Sequence, residues 1–107
     1  MPDPYWAMEY AKKQVAPGWY GVIERLVADL AALGWDGDVR HVNSDRGALL
    51  FLIGRGSERI WKRVDQAIKE SIRTCENCGA RGWLGICSGC ATARIERRVS
   101  RWPLPPR

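Results

Sequence analysis

Apolar residues recur at three- and four-residue spacing from Trp19 onward, with Val22, Ile23, Leu26, Val27, Leu30 and Leu33 completing a single stripe. The spacing predicts a helix that starts at Pro17 and is capped by Gly34. Ahead of it, Asp3 followed by Pro4 reads as an N-cap with proline in the first turn, and predicts a helix over 4–15. "DVRHV" (38–42) and "ALLFLI" (48–53) flank the turn-rich "NSDRG", the pattern of a β-hairpin. The second of these runs is apolar throughout, so its strand is expected to be buried on both faces. "GRGS" ends the hairpin, and Ser57 can cap a third helix. One face of that helix carries Ile60, Trp61, Val64, Ala67, Ile68, Ser71 and Ile72, and the other Arg59, Lys62, Gln66, Lys69 and Arg73. The order α-α-β-β-α, with helices packed on a hairpin, is an α+β fold without internal repeats. Trp19 and Trp61 fall on core stripes; Trp35 and Trp102, beside turn signals, read as partly exposed anchors.

The third helix runs straight into Cys75, Cys78, Cys87 and Cys90, two C-x-x-C pairs separated by the eight residues "GARGWLGI". Each C-x-x-C sets two sulfurs on one tight turn, and Gly79 supplies the residue such a knuckle needs after its second ligand. Two knuckles deliver four thiolates to the corners of a tetrahedron, the arrangement of structural zinc sites. A redox dithiol and an iron–sulfur cluster are the alternatives, with disulfides the least compatible with a reducing compartment. Residues 91–102 contain neither Gly nor Pro and predict a last helix, ended by Pro103. Cys87 and Cys90 then fall at a helix N-terminus, which favours thiolates. A treble-clef-like or ribbon-like zinc module ending in a basic helix is the expected architecture. Four soft ligands leave no open position for catalysis, so the zinc is expected to be structural. The single histidine, His41, reads as an ordinary strand residue, and no nucleophile or acid–base pair stands at a motif spacing. Gly54-Arg55-Gly56 reads as a turn, not a phosphate loop.

A length of 107 residues allows one α-α-β-β-α domain (1–73), a four-cysteine module (74–102) and a flexible tail (103–107). No apolar run is long enough to cross a membrane, and the N-terminus has neither a basic nor a long apolar segment of the secretory kind. A cytoplasmic, non-enzymatic protein without a small-molecule substrate is expected. The net charge of +5 is local: residues 1–70 carry ten Lys/Arg and ten Asp/Glu, whereas 71–107 carry seven Arg and two Glu. Arg94, Arg97, Arg98 and Arg101 share one stripe of the last helix, and Ile95, Val99 and Trp102 form another. With Arg73 and Arg81 nearby, this is a candidate partner-binding face, for phosphates or for an acidic protein. Trp83, between the ligand pairs, either covers the metal or serves as a stacking platform or hot spot.

Taken together, "PGWYGVIERLVADL", "VRHVNSDRGALLF" and "ESIRTCENCGARGWLGICSGC" resemble a group of small uncharacterised bacterial and bacteriophage proteins with an α/β part and a C-terminal zinc finger. Gly18, Trp19, Gly47, Leu49, Phe51, Ser71, Cys75, Cys78, Gly79, Trp83, Cys87 and Cys90 carry the likeness, over roughly residues 17–90. The chain departs from it at "NSDR", where a basic, aromatic turn is usual, and in its short loop between cysteine pairs. The resemblance implies a mobile-element context. The expected function is a zinc-stabilised binding module docking on a host protein complex, as an inhibitor of a defence system such as CRISPR or of transcription. The alternative is a small DNA- or RNA-binding regulator that uses the basic helix.

Overall fold

A computed structural model describes residues 3–101, with the backbone alone described over 96–101. Its elements are α1 (Pro4–Lys13), a 3-10 turn (Pro17–Trp19), α2 (Tyr20–Ala32), β1 (Val39–Asp45), β2 (Ala48–Ile53), α3 (Glu58–Ile72) and α4 (Ser88–Arg101). The fold is a small α+β one, with a two-stranded antiparallel hairpin and four helices. Trp102 and the tail 103–107 lie outside the described residues.

Local chemistry sets the helix limits. The Asp3 carboxylate accepts the Trp6 amide at 2.7 Å, with Pro4 in the first turn. Ser57 accepts the Ile60 amide at 3.4 Å and caps α3. After α2 the chain reverses through Gly34 (φ +91°): its amide reaches the Ala31 carbonyl at 3.0 Å, and that of Trp35 reaches Leu30 at 2.9 Å. That pair of bonds is a Schellman cap.

The reversal carries Trp35 under the sheet, where it is 4% exposed and its ring lies 6.2 Å from that of Phe51. The exposed anchor expected at Trp35 is therefore a core residue. Around it pack Ala7 and Ala11 of α1, Val22, Ile23, Leu26, Val27 and Leu30 of α2, and Trp19 at the start of α2. Leu33, the last member of the stripe, is exposed. Val42, Leu49, Phe51 and Ile53 supply the sheet, and Ile60, Val64 and Ala67 supply α3.

Trp61 corrects the expectation in the other direction: it is 44% exposed. Ile60, Val64, Ala67 and Ser71 occupy a narrow stripe, and Trp61 lies about 100° further round the helix. The opposite flank of α3 is held against α2 by Arg63 to Asp29 at 2.7 Å and by the Arg25–Glu70 ion pair. Two strands and one helix cover no wider arc.

The same thinness explains β2. Burial alternates along it, with Leu49, Phe51 and Ile53 inside and Leu52 exposed, so the helices cover one face and not two. The turn is also shorter than "NSDRG" suggested. Asn43, Ser44 and Asp45 remain in β1, paired with Leu50, Leu49 and Ala48. Only Arg46 (φ 53°) and Gly47 (φ 84°) connect the strands, a type I′ turn whose twist suits a hairpin. Where β2 begins, the buried Ser71 hydroxyl accepts the Leu49 amide at 2.9 Å and donates to the Ile68 carbonyl at 2.5 Å. A serine late in α3 thus satisfies a strand-edge amide that the two-stranded sheet leaves unpaired.

Candidate metal centre

At the end of α3 the Thr74 hydroxyl donates to the Glu70 carbonyl at 2.9 Å, and the chain turns into the first knuckle. The Gly79 amide bonds the Cys75 carbonyl at 2.9 Å, and the Cys75 amide bonds that of Ala80 at 2.8 Å. An isolated bridge between Thr74 and Arg81 closes the knuckle, and a second, between Trp83 and Ile86, closes a tight hairpin after it. Its turn, Leu84 (φ 52°) and Gly85 (φ 75°), is again type I′. The chain then enters α4 with Cys87 just before its first residue and Cys90 in its first turn, as the sequence indicated. The Cys90 amide points at the Cys87 sulfur, 3.3 Å away.

All four Sγ atoms lie within 4.8 Å of one another. Cys78 is 3.7 Å from Cys87 and 3.9 Å from Cys90. Four sulfurs on a tetrahedral zinc, at bonds of about 2.3 Å, would sit roughly 3.8 Å apart, whereas a disulfide brings its sulfurs to about 2.05 Å. The spacing is that of a ligand set, and the four soft donors could hold a metal ion such as zinc.

Electrostatics point the same way. Burial pushes the Cys75 thiol up, but the amides of Cys78, Cys87 and Asn77 directed at its sulfur outweigh burial and bring it down to about 6. Cys90 is pushed up to about 12, because Cys87, Cys75 and Cys78 crowd it. At Cys78 the Ala80 amide lowers the pKa, but the neighbouring Cys75 and Cys87 sulfurs prevail and the shift is upward. The Cys75 thiolate forms readily, and Cys78 and Cys90 resist ionising beside it until a cation arrives. Metal uptake must therefore displace protons from Cys78 and Cys90. Apparent zinc affinity is expected to climb steadily from about pH 6 to pH 8, measured by competition with a chromophoric chelator. A flat profile would contradict this protonation scheme.

The cysteine segment is built into the rest of the fold by a residue that sequence reasoning missed. Glu76, inside the first knuckle, accepts the Ala16 amide at 3.1 Å on one carboxylate oxygen and the Ser44 hydroxyl at 2.7 Å on the other. Its carbonyl accepts the Gly18 amide at 2.6 Å, and its own amide bonds the Gly85 carbonyl at 2.8 Å. Beside it, the Trp19 indole donates to the Thr74 carbonyl at 2.8 Å. Nothing in the spacing marks Glu76; the only signal is an acidic side chain in an otherwise basic segment. The two type I′ turns also meet tip to tip. A Cβ placed on Gly47 would stand 1.9 Å from the Leu84 carbonyl oxygen, and one on Gly85 would stand 2.8 Å from that of Gly47.

Of the candidate partner-binding residues, Arg73, Arg81, Trp83 and Arg94 are exposed; Arg97, Arg98 and Arg101 lie in α4 beyond the described side chains. Trp83 is 64% exposed, so it stands free of the core. Arg73 and Trp83 line one open groove of about 490 Å³, together with Lys69, Ile72, Thr74 and Glu70, whose carboxylate pairs with Arg25. The Gly82 amide bonds the Arg73 carbonyl at 2.8 Å, and Arg81 pairs with Thr74, so the backbone ties the end of α3, with Arg73, to the strand that carries Arg81 and Trp83. Among the described residues neither arginine has a carboxylate partner. His41 is an exposed strand residue opposite Leu52. No described helix is long and apolar enough to cross a membrane. Comparison with protein-family models, curated proteins and solved structures yields no match to the chain.

Proposed function

We propose that the protein is a non-enzymatic binding module, stabilised by one structural zinc in a treble-clef-like site, that docks on an acidic surface of a host protein complex. The observation that carries this reading is the apolar surface of the cysteine segment. Trp83, Leu84 (54% exposed) and Ile95 (61% exposed) all face solvent, beside arginines that no described carboxylate neutralises. A solvated segment needs no such side chains, whereas exposed aromatic and aliphatic side chains accompanied by arginines are what protein interfaces use. The phage or mobile-element setting rests on the resemblance of the Gly18-to-Cys90 pattern, and makes a host defence or transcription complex the natural target, with the protein as its inhibitor.

The test is direct binding of zinc-loaded protein to purified host complexes of those two kinds. Trp83→Ala and the double variant Arg73→Ala/Arg81→Ala are each expected to weaken binding at least tenfold. The second reading, nucleic-acid binding, draws on the unneutralised arginines around an exposed indole, a pattern suited to phosphates and a stacked base. It predicts retention of labelled oligonucleotides at physiological salt, with the salt slope reduced by about one for each contacting arginine removed. If oligonucleotides bind so and the host complexes do not, the second reading replaces the first. A turnover lost on changing one non-cysteine residue would refute both.

A further inference from the structure

We propose that the Trp83–Leu84 turn is a rigid anchor shaped to enter an apolar pocket rimmed by carboxylates on a protein partner; this names the contact and the partner chemistry within the docking function above. The starting point is a conformation that the residue does not favour. The first central position of a type I′ turn requires positive φ and is normally Asn, Asp or Gly. Leu84 adopts φ 52° there, at a cost of roughly 1–2 kcal/mol. A leucine that repaid this cost by burial would be inside, yet the residue is 54% exposed and adjoins the 64% exposed Trp83. The equivalent position of the other turn holds Arg46, an exposed charged residue that raises no such question.

The turn is also held from both sides. The Gly85 amide bonds the Ile72 carbonyl at 3.0 Å, the Gly85 carbonyl accepts from Glu76, and the Leu84 backbone rests on Gly47. An apolar tip that is already ordered loses little entropy when it is bound. Arg73 at the end of α3 and Arg81 on the strand bonded to it are exposed, and add two cations with no ion-pair partner among the described residues. Charge complementarity then specifies an acidic rim. A nucleic acid would gain from the arginines and Trp83, but nothing from a branched aliphatic side chain at the tip.

The experiment is to pan a random peptide display library on the zinc-loaded full chain, and to measure the selected peptides by fluorescence anisotropy. The expected peptides carry two or more leucine, phenylalanine or methionine residues, able to close around the tip as a pocket would, flanked by Asp or Glu. Leu84→Asn should weaken them at least tenfold while keeping the zinc content, and should hold or raise the thermal midpoint, because asparagine suits the turn. Leu84→Gly serves as a second variant with the same expected loss. Peptides without carboxylates, binding unchanged in both variants, or a midpoint lowered by more than about 8 °C in Leu84→Asn, which would mark a packing role, each overturn the proposal. So does a labelled oligothymidylate that binds the wild type and is lost in Leu84→Asn. The same variants in the host-complex assay separate the two ideas. Host binding that survives them removes the anchor and leaves the docking function, whereas no host binding by the wild type removes that function, whatever the peptides show.

Discussion

Replacing Cys75 with serine is expected to abolish metal binding and to unfold more than the cysteine segment. Cys75 is the buried member of the set, and its sulfur receives amides from both knuckles. Structural zinc contributes about 10–16 kcal/mol to the folding of small zinc domains, comparable with the ~5–15 kcal/mol by which whole domains are stable. The first knuckle also satisfies donors elsewhere in the chain: the amides of Ala16 and Gly18, the Ser44 hydroxyl and the Trp19 indole. Once the knuckle is disordered, these groups lose their partners together. The α2–α3–hairpin core contains no cysteine and should keep its helical signal. The 3-10 turn and the hairpin tip should lose hydrogen-exchange protection, most sharply at the Gly18 and Gly85 amides. A fall of more than about 15 °C in thermal midpoint is expected for a domain of this size, and chelation of the wild type should reach the same end point. A metal-free Cys75→Ser protein with unaltered melting and exchange would show that the metal plays no part in folding.

Gly18→Ala should be nearly as damaging, although a single methyl group is added. A Cβ at this position would lie 2.1 Å from the Cys75 carbonyl oxygen and 2.3 Å from that of Glu76, and both are backbone atoms that cannot swing aside. Relief requires the knuckle to lift off the 3-10 turn, breaking the Gly18–Glu76 bond and straining the Trp19–Thr74 bond. A loss of about 3–5 kcal/mol is expected, in the range reserved for substitutions with a specific steric cause. Gly21→Ala is the matched control, three residues away. Its Cβ would meet only the end of the Arg25 side chain at 3.3 Å, so replacing a glycine within α2 should stabilise by roughly 0.5–1 kcal/mol. Urea titrations of the two zinc-loaded variants check the opposite signs; Gly18→Ala melting like the wild type would remove the docked knuckle.

How legible the molecule was in its sequence depended on the range of the forces involved. Caps and stripes act within one or two turns, so Asp3, Ser57, Gly34 and the α2 face were readable, as was the delivery of four cysteines by two knuckles and a helix start. Trp35 and Trp61 were misjudged because their exposure depends on what lies across from them. Trp35 follows a glycine, which usually signals surface, but the cap at Gly34 folds it onto Phe51. Trp61 satisfies the helical period and still faces solvent, since a two-stranded sheet is too narrow to reach it. Glu76 was invisible for a related reason: its partners lie 32 and 60 residues away, where no local pattern points. The type I′ turns escaped notice because Arg46-Gly47 and Leu84-Gly85 lack the asparagine or aspartate that usually announces them.

The meeting of these turns, glycine against glycine, bears on whether the cysteine segment can be moved or remodelled. Gly47 and the Leu84–Gly85 peptide are so close that neither loop has room for an inserted residue or a larger side chain at the contact. The lengths of the two loops are therefore a matched pair. A longer hairpin turn grafted at Arg46-Gly47 would require a compensating redesign between Cys78 and Cys87, and transplanting residues 74–101 alone would leave behind half of what shapes them. By its ligands the cysteine segment could hold a metal as a self-contained unit, but by its contacts it is not a portable one.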